Sequence, residues 1–254
     1  MKRFLILLFS ASLLFWASGC RKPGSIHGNG SPVTETRTMV SFNEVLNDIF
    51  FYVYIVPDTV YKVEIDAESN IIPFIRTVVN GNKLIISSHE NISVNYPVTI
   101  RVHTKNLKHV ELNGSGWISI DSVTTDNLRV ELNGSGTITG KFNTYSLSTN
   151  CYGSGDINFI VDCTNIEAET DGSGDINLMG KCEKGIFTIS GSGDINAFDF
   201  IQKKCEAKIQ GSGDMYVNVT DLLNVNIYGS GSVFYMGNPV LNVNIQGSGS
   251  VIKH

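Results

Sequence analysis

The chain has 254 residues, with 19 Lys and Arg against 24 Asp and Glu, for a formal net charge of −5. Hydrophobic residues make up 42%, enough to build a core, which excludes global disorder. The acidic balance and the lack of a dense basic face exclude a nucleic-acid partner, because phosphate binding needs clustered Lys and Arg.

The N-terminus reads as an address. Lys2 and Arg3 precede an apolar run from Phe4 to Trp16, followed by Ala17, Ser18, Gly19 and Cys20. A basic start, a short apolar stretch and small residues before a cut make a secretory signal over residues 1–19. The run is shorter than the ~20 apolar residues of a membrane span. Three small residues ahead of Cys20 match a lipobox, so Cys20 is expected to be lipidated and to tie the chain to a membrane. The alternative is an ordinary cleavage site with an incidental Cys. Arg21 and Lys22 follow, with no Asp after Cys20, which favours the outer membrane over the inner one. Residues 20–32, rich in Gly, Ser and Pro, read as the lipidated Cys and a tether.

Residues 33–110 carry no fixed period and read as an N-terminal β cap. Val33–Val40, Phe50–Val56, Tyr61–Asp66 and Pro97–Thr104 are expected strands. Val78-Val79 and Leu84–Ser87 flank Asn80-Gly81-Asn82, a hairpin signal. Ala67–Ile72 is expected to make one helical turn before Pro73.

From residue 111 to 254 the chain repeats. Gly-Ser-Gly begins at Gly114, Gly134, Gly153, Gly172, Gly191, Gly211, Gly229 and Gly247, at intervals of 20, 19, 19, 19, 20, 18 and 18 residues. A fixed short period without helical stretches predicts an all-β fold, a β-solenoid of about eight short coils continuous with its cap over residues 33–254. Flexible linker is excluded because each tripeptide sits inside apolar alternation. Counting from the first Gly of each corner, Val110 and Val130 stand four before, Leu112 and Leu132 two before, and Ile118, Ile138, Ile157, Ile176 and Ile195 four after. These even offsets share one strand face and should stack inward, with the two glycines on the same phase. Each coil is expected to be a strand, a Gly-Ser-Gly corner, a second strand and a variable return. Coils ~4.8 Å apart give a body roughly 35–40 Å long. Nothing comparable to the cap follows Gly247. Lys253, on an inward phase, is either a charged stopper or lies at an end that meets another protomer.

The odd offsets form outward rows. Asp156, Asp175, Asp194 and Asp214 stand three after the first Gly, and Asn158, Asn177, Asn196, Tyr216 and Phe234 five after, while Trp117 opens the first row and Tyr228 stands one before its corner. Like charges ~4.8 Å apart repel by about 1 kcal/mol in water and severalfold more near a protein surface. Two things can offset this in the Asp row: hydrogen bonds from corner N–H groups, or bound Ca²⁺ held by Asp and Asn oxygens. Paired Asp residues also suggest glycoside chemistry, but returns of a few residues leave no cleft wall, and the chain is read as no enzyme. The aromatic and Asn rows suit sugar faces and hydroxyls, so Tyr216, Tyr228, Phe234, Trp117, Asn158, Asn177 and Asn196 are the ligand-binding candidates. The other reading of the aromatics is that they stack along the solenoid only to stabilise it. Cys151 and Cys205 lie on inward phases. Cys163 and Cys182 share an offset one coil apart and are either a disulfide or stacked free thiols. No nucleotide fingerprint, zinc spacing or nucleophile elbow is present, so no cofactor and no catalytic residue are expected.

The Gly-Ser-Gly-Asp-Ile-Asn units at 153–158, 172–177 and 191–196 resemble the signature of the head GIN domain family, as does the earlier Asn80-Gly81-Asn82-Lys83-Leu84-Ile85-Ile86. Trp117, Thr137, Ser232 and Ser250 replace the Asp in the outer coils. The resemblance implies a right-handed β-solenoid in a lipoprotein or secreted setting, with adhesion or ligand binding as its role. The expected protein is a non-enzymatic envelope lipoprotein of adhesin type whose partners are a glycan or a surface protein. The alternatives are a carbohydrate-binding module and a structural scaffold that self-associates through its end or face.

Overall fold

The computed structural model describes residues 24–254. The expected signal segment and the lipidation site Cys20 lie outside the described residues. Within them no helix is long and apolar enough to cross a membrane.

Nine strands build the cap: β1 (Ile26–His27), β2 (Pro32–Thr38), β3 (Glu44–Asp48), β4 (Tyr52–Pro57), β5 (Lys62–Glu68), β6 (Arg76–Asn80), β7 (Lys83–Ser87), β8 (Ile92–Ser93) and β9 (Thr99–Thr104). The expected hairpin forms between β6 and β7, with Asn80 opposite Lys83 and Gly81 at a left-handed φ of 61°. The expected helical turn is a 3₁₀ turn at Ile72–Phe74, three residues long and shifted onto Pro73. Glu44–Asp48 is a strand that the sequence did not announce.

The cap is also part of the stack. Strands β3 and β4 form one coil, with Val45 beside Val110 and Ile55 beside Ile120 on the repeat side. On the far side Val45 lies beside Leu84 and Ile55 beside Val102, so β7 and β9 form a second coil outside the first. The chain therefore lays down an inner coil, then an outer one, and returns past the inner coil to begin the repeats. Ile49-Phe50-Phe51 takes the place of a Gly-Ser-Gly corner, and a Cβ on Gly116 would lie 2.4 Å from the Ile49 carbonyl oxygen. Antiparallel strands then close the edge. β6 pairs with β7, β5 with β9, and β2 with β5. An edge covered in this way offers no free parallel template.

The stretch read as a tether is seated on the cap from Ile26 onward, where β1 pairs with β8. The cause is Glu68, which is fully buried. Its carboxylate accepts hydrogen bonds from the Gly30 N–H (2.6 Å), the Asn95 N–H (2.9 Å) and Asn95 Nδ2 (2.9 Å). Gly28 crosses so close that a Cβ there would sit 1.8 Å from Glu68 Oε2. A polar backbone segment is thus folded over an otherwise costly buried charge.

The repeats comprise β10 (His109–Gly114), β11 (Trp117–Gly134), β12 (Thr137–Gly153), β13 (Asp156–Gly172), β14 (Ile176–Ile189), β15 (Ile195–Ile209), β16 (Met215–Ile227), β17 (Val233–Met236), β18 (Val240–Ile245) and β19 (Val251–Lys253), all paired in parallel. The result is a β-solenoid of about eight turns. The expected variable return is not a loop. Most strands run from one corner to the next, bending midway with small register shifts such as that between Ile120 and Val123. Ile157, Ile176 and Ile195 are register partners and fully buried, as are Leu112, Leu132 and Cys151. In the last coil the column of Leu112 surfaces at Ile245, 40% exposed, and the neighbouring inward columns surface at Leu241 and Val243, 38% and 45% exposed. Lys253, expected either as a charged stopper or at an end that meets another protomer, is exposed and donates to Asn238 Oδ1 at 2.7 Å.

The corner glycines are held by close approach. A Cβ on Gly155 would meet the Gly136 carbonyl oxygen at 2.2 Å, and one on Gly174 would meet that of Gly155 at 2.1 Å. No side chain can move aside, because the obstacle is backbone. Replacing Gly155 by Ala should therefore cost about 3 kcal/mol in denaturant unfolding, whereas Ser154→Ala on the exposed middle of the same corner should stay within about 0.5 kcal/mol.

Burial alone would push the Glu68 carboxyl up, but the donated bonds from Asn95, Gly30 and Tyr96 outweigh it and hold it below the usual carboxylate range. A carboxyl lowered on folding supports the native state above its unfolded pKa of about 4.3 and loses that support as pH falls through its folded value. The protection of residues 26–31 against hydrogen exchange, taken relative to an unfolded peptide at the same pH, should fall below about pH 4, and Glu68→Gln should show low protection already at pH 7.

Candidate functional site

The outward rows on the strand that follows each corner form one flat face. The Asp row is held by the backbone. Asp175 Oδ1 accepts the Asp194 N–H at 2.8 Å, Asp194 Oδ1 accepts the Asp214 N–H at 2.7 Å, and Asp214 Oδ1 accepts the Ser232 N–H at 2.7 Å. Each carboxylate therefore caps the corner of the next coil, an arrangement that offsets the repulsion along the row. These are the residues named as calcium candidates, together with Asp156. Among the described residues the donors that converge in threes are others: His109, Glu111 and Glu131. That group is already paired. His109 Nε2 lies 2.9 Å from Glu131 Oε2, Lys83 Nζ lies 3.1 Å from Glu111 Oε2, and Arg129 bonds Glu131 Oε1. Burial alone would raise the Glu131 carboxyl, but bonds from Arg129 and His109 outweigh it and lower its pKa.

Next to the Asp row runs the Asn ladder. Asn177 Nδ2 donates to Asn158 Oδ1 at 2.9 Å, and Asn196 Nδ2 donates to Asn177 Oδ1 at 2.9 Å. Asn177 thus uses one N–H and one lone pair within the ladder, and each amide can offer one of each outward. Aromatic rings flank this polar stretch. At the cap end Trp117 lies against Tyr52, ring centroids 5.4 Å apart. At the other end Tyr216 and Phe234 stack at 5.0 Å with planes 9° apart, Phe198 meets Tyr216 edge-on at 5.4 Å, and His254 stacks on Phe198 at 5.2 Å. Trp117 and Tyr216 are five coils apart, roughly 24 Å at ~4.8 Å per coil.

Six of the seven expected ligand residues therefore share one face. Tyr228 does not. It stands before its corner, on the other strand, and makes no ring contact among the described residues. Sequence reasoning missed Tyr52, Phe198 and His254. Tyr52 belongs to the cap, which has no period, although its register with Trp117 puts it in the same row. Phe198 sits where β15 and β16 slip out of register between Ala197 and Ile201, so counting offsets could not place it. A shallow depression of about 400 Å³ adjoins the ladder, lined by Asn158, Asn177, Ile160 and Met179 among others.

Replacing Asp194 by Ala removes the acceptor for Asp214 N–H and should cost about 1 kcal/mol in unfolding free energy. Asp194→Asn keeps an acceptor oxygen and removes a like charge, so its unfolding free energy should equal or exceed that of the unsubstituted protein.

Comparisons with known proteins agree with this architecture. A comparison with curated protein sequences finds no match. A crystal structure of a putative lipid binding protein from Parabacteroides distasonis ATCC 8503 is similar at 28% identity and a TM-score of 0.84, covering 91% of this chain and 99% of that one. Two further crystal structures share the fold. A putative adhesin from Parabacteroides merdae ATCC 43184 is 24% identical with a TM-score of 0.85, covering 91% and 99% of the two chains. A putative adhesin from Parabacteroides distasonis ATCC 8503 is 23% identical with a TM-score of 0.85, covering 91% and 100%. The family model described as putative auto-transporter adhesin, head GIN domain, matches residues 41–239, and the chain belongs to that family.

Proposed function

We propose that the protein is a non-enzymatic lipoprotein of the bacterial outer membrane, exported by residues 1–19 and anchored at Cys20, that binds glycans through the flat face of its solenoid. The observation that carries this reading is the Asn158–Asn177–Asn196 ladder with aromatic groups at both ends of one rigid face. Amide groups exchange hydrogen bonds with sugar hydroxyls, and exposed rings cover the apolar faces of pyranoses. The row repeats once per coil, so it suits an extended chain of similar units better than a single small molecule. Membership of a family described by adhesion supports the same reading.

A second reading follows from the depression beside the ladder. Ile160 and Met179 are about half exposed there, and the 28% identical relative from Parabacteroides distasonis is described as a putative lipid binding protein. An acyl chain along this strip is the alternative ligand.

Glycan-array binding of residues 21–254 tests the proposal. Binding should be found and should fall at least 10-fold, about 1.4 kcal/mol, in Tyr216→Ala/Phe234→Ala and in Asn177→Ala, with the far-UV circular dichroism unchanged. Binding retained by both variants would remove this face from the function. Binding to fatty-acid probes alone, lost in Met179→Asp, would favour the second reading.

A further inference from the structure

Cys163 and Cys182 are direct register partners on adjacent coils, whereas Cys151 and Cys205 have no cysteine opposite them. The row they belong to runs Thr144, Cys163, Cys182, Gln202. Neighbouring parallel strands lie ~4.8 Å apart, inside the 4.4–6.8 Å span over which Cα atoms are bridged by a disulfide. The pair sits where the strands bend, next to an unpaired Thr164, so the backbone there has room to adjust. Access is uneven and suits a two-step exchange. Cys163 is half-buried and Cys182 buried, and both line an open depression of about 510 Å³, where Lys181 and Lys203 are paired with Asp162 and Glu183. A hydrogen bond with the neighbouring Cys163 thiol, and then burial, push the Cys182 pKa up, so Cys182 is the poorer first nucleophile. Cys151, by contrast, is fully buried, donates to the Gly155 carbonyl at 3.1 Å, and is pushed up to about 11 by burial.

We propose that Cys163 and Cys182 form a cross-linking site that closes to a disulfide after export, stapling two successive coils in the middle of the solenoid. The oxidant is a disulfide of the envelope, either an oxidoreductase or a small thiol in its oxidised form. The Cys163 thiolate attacks one sulfur of that disulfide, forming a mixed disulfide and releasing one thiol. The Cys182 thiolate then attacks Cys163 Sγ and releases the second thiol. The two electrons and two protons lost by the pair appear in those two released thiols. The bond encloses a short loop, so it opposes separation of these coils in particular. The setting rests on the envelope location proposed above, because such bonds do not persist in a reducing cytosol.

The test uses the unsubstituted chain with its five cysteines. The reduced protein is equilibrated in a glutathione buffer poised near the envelope potential, denatured, alkylated and mapped by mass spectrometry. Cys163 and Cys182 should escape alkylation together and appear in one linked peptide. The oxidised protein should melt higher than the reduced one, and a reductant should reverse the rise. A Cys163→Ser/Cys182→Ser double variant should show no redox-dependent shift. Both thiols alkylatable at equilibrium, or Cys163 trapped as a stable glutathione adduct, would overturn the proposal. A second arm alkylates intact cells before lysis and maps the same peptides. Linkage in buffer with free thiols in cells would sink the exported setting and leave the pairing standing.

Discussion

Backbone lies on backbone at every Gly-Ser-Gly corner of this solenoid, and the rest of the structure follows from that. Successive coils can hold a spacing of ~4.8 Å around a tight bend only where no Cβ intervenes. The corner is also hydrogen-bonded. Ser154 N–H reaches the Gly134 carbonyl at 2.9 Å, and Ser173 N–H reaches that of Gly153 at 2.7 Å. Glycine supplies the room and the following amide supplies the tie. Because every coil is pinned at the same place, residues of equal offset are stacked, and the interior becomes a set of apolar columns rather than an irregular core. Ile118, Ile138, Ile157, Ile176 and Ile195 form one such column, all fully buried.

Translation along the axis turns any exposed side chain into a row. This makes an Asp row awkward and an Asn row favourable. Asn can bond to the Asn above it, donor to acceptor, without end. Asp has no donor, so the row survives by pointing each carboxylate at the next coil's amide. The two ladders use different partners for the same reason of register, and both leave a stiff, flat surface. The midway bends are paired strand, not loops, so no wall rises beside that surface. A polymer lying across the coils meets the same groups once per coil, which is what a face of this kind offers.

The repeating part was legible because its constraint is written in residue type. In the repeats Gly occupies both ends of every corner, and the inward columns are mostly apolar, with Thr149 and Thr170 as buried exceptions. The cap was legible as β structure and as a hairpin, but not as two further coils. Its inner corner is Ile49-Phe50-Phe51, which no Gly-based count would find. Its strand Glu44–Asp48 places the fully buried Asn47 in an inward column, which breaks the apolar alternation. The stretch read as a tether looked free because Gly and Ser suggest freedom, and the partner that fixes it, Glu68, is about forty residues away. Tyr228 was grouped with Tyr216 by composition, although its odd offset lies on the opposite side of a corner.

The order in which the chain lays down its first coils explains why a cap is needed at all. Within the repeats each residue pairs with one about a single period away, a short closure with a small entropic cost. The cap instead joins Val45 to Val110, 110 − 45 = 65 residues apart, and returns past its own inner coil to do so. That closure costs only about 1 kcal/mol more than a closure over one period, and burying Val45, Val53, Ile55, Ile86, Ile100 and Val102 between coils and under antiparallel strands more than offsets it. Once it is made, one face of the stack is sealed by β2, β5 and β6 and the other is an open parallel edge. The first repeat pairs with the inner coil of the cap, and each later coil pairs with the one before it. The long-range cost is thus confined to the non-repeating third of the chain, and the periodic part extends from it at short range.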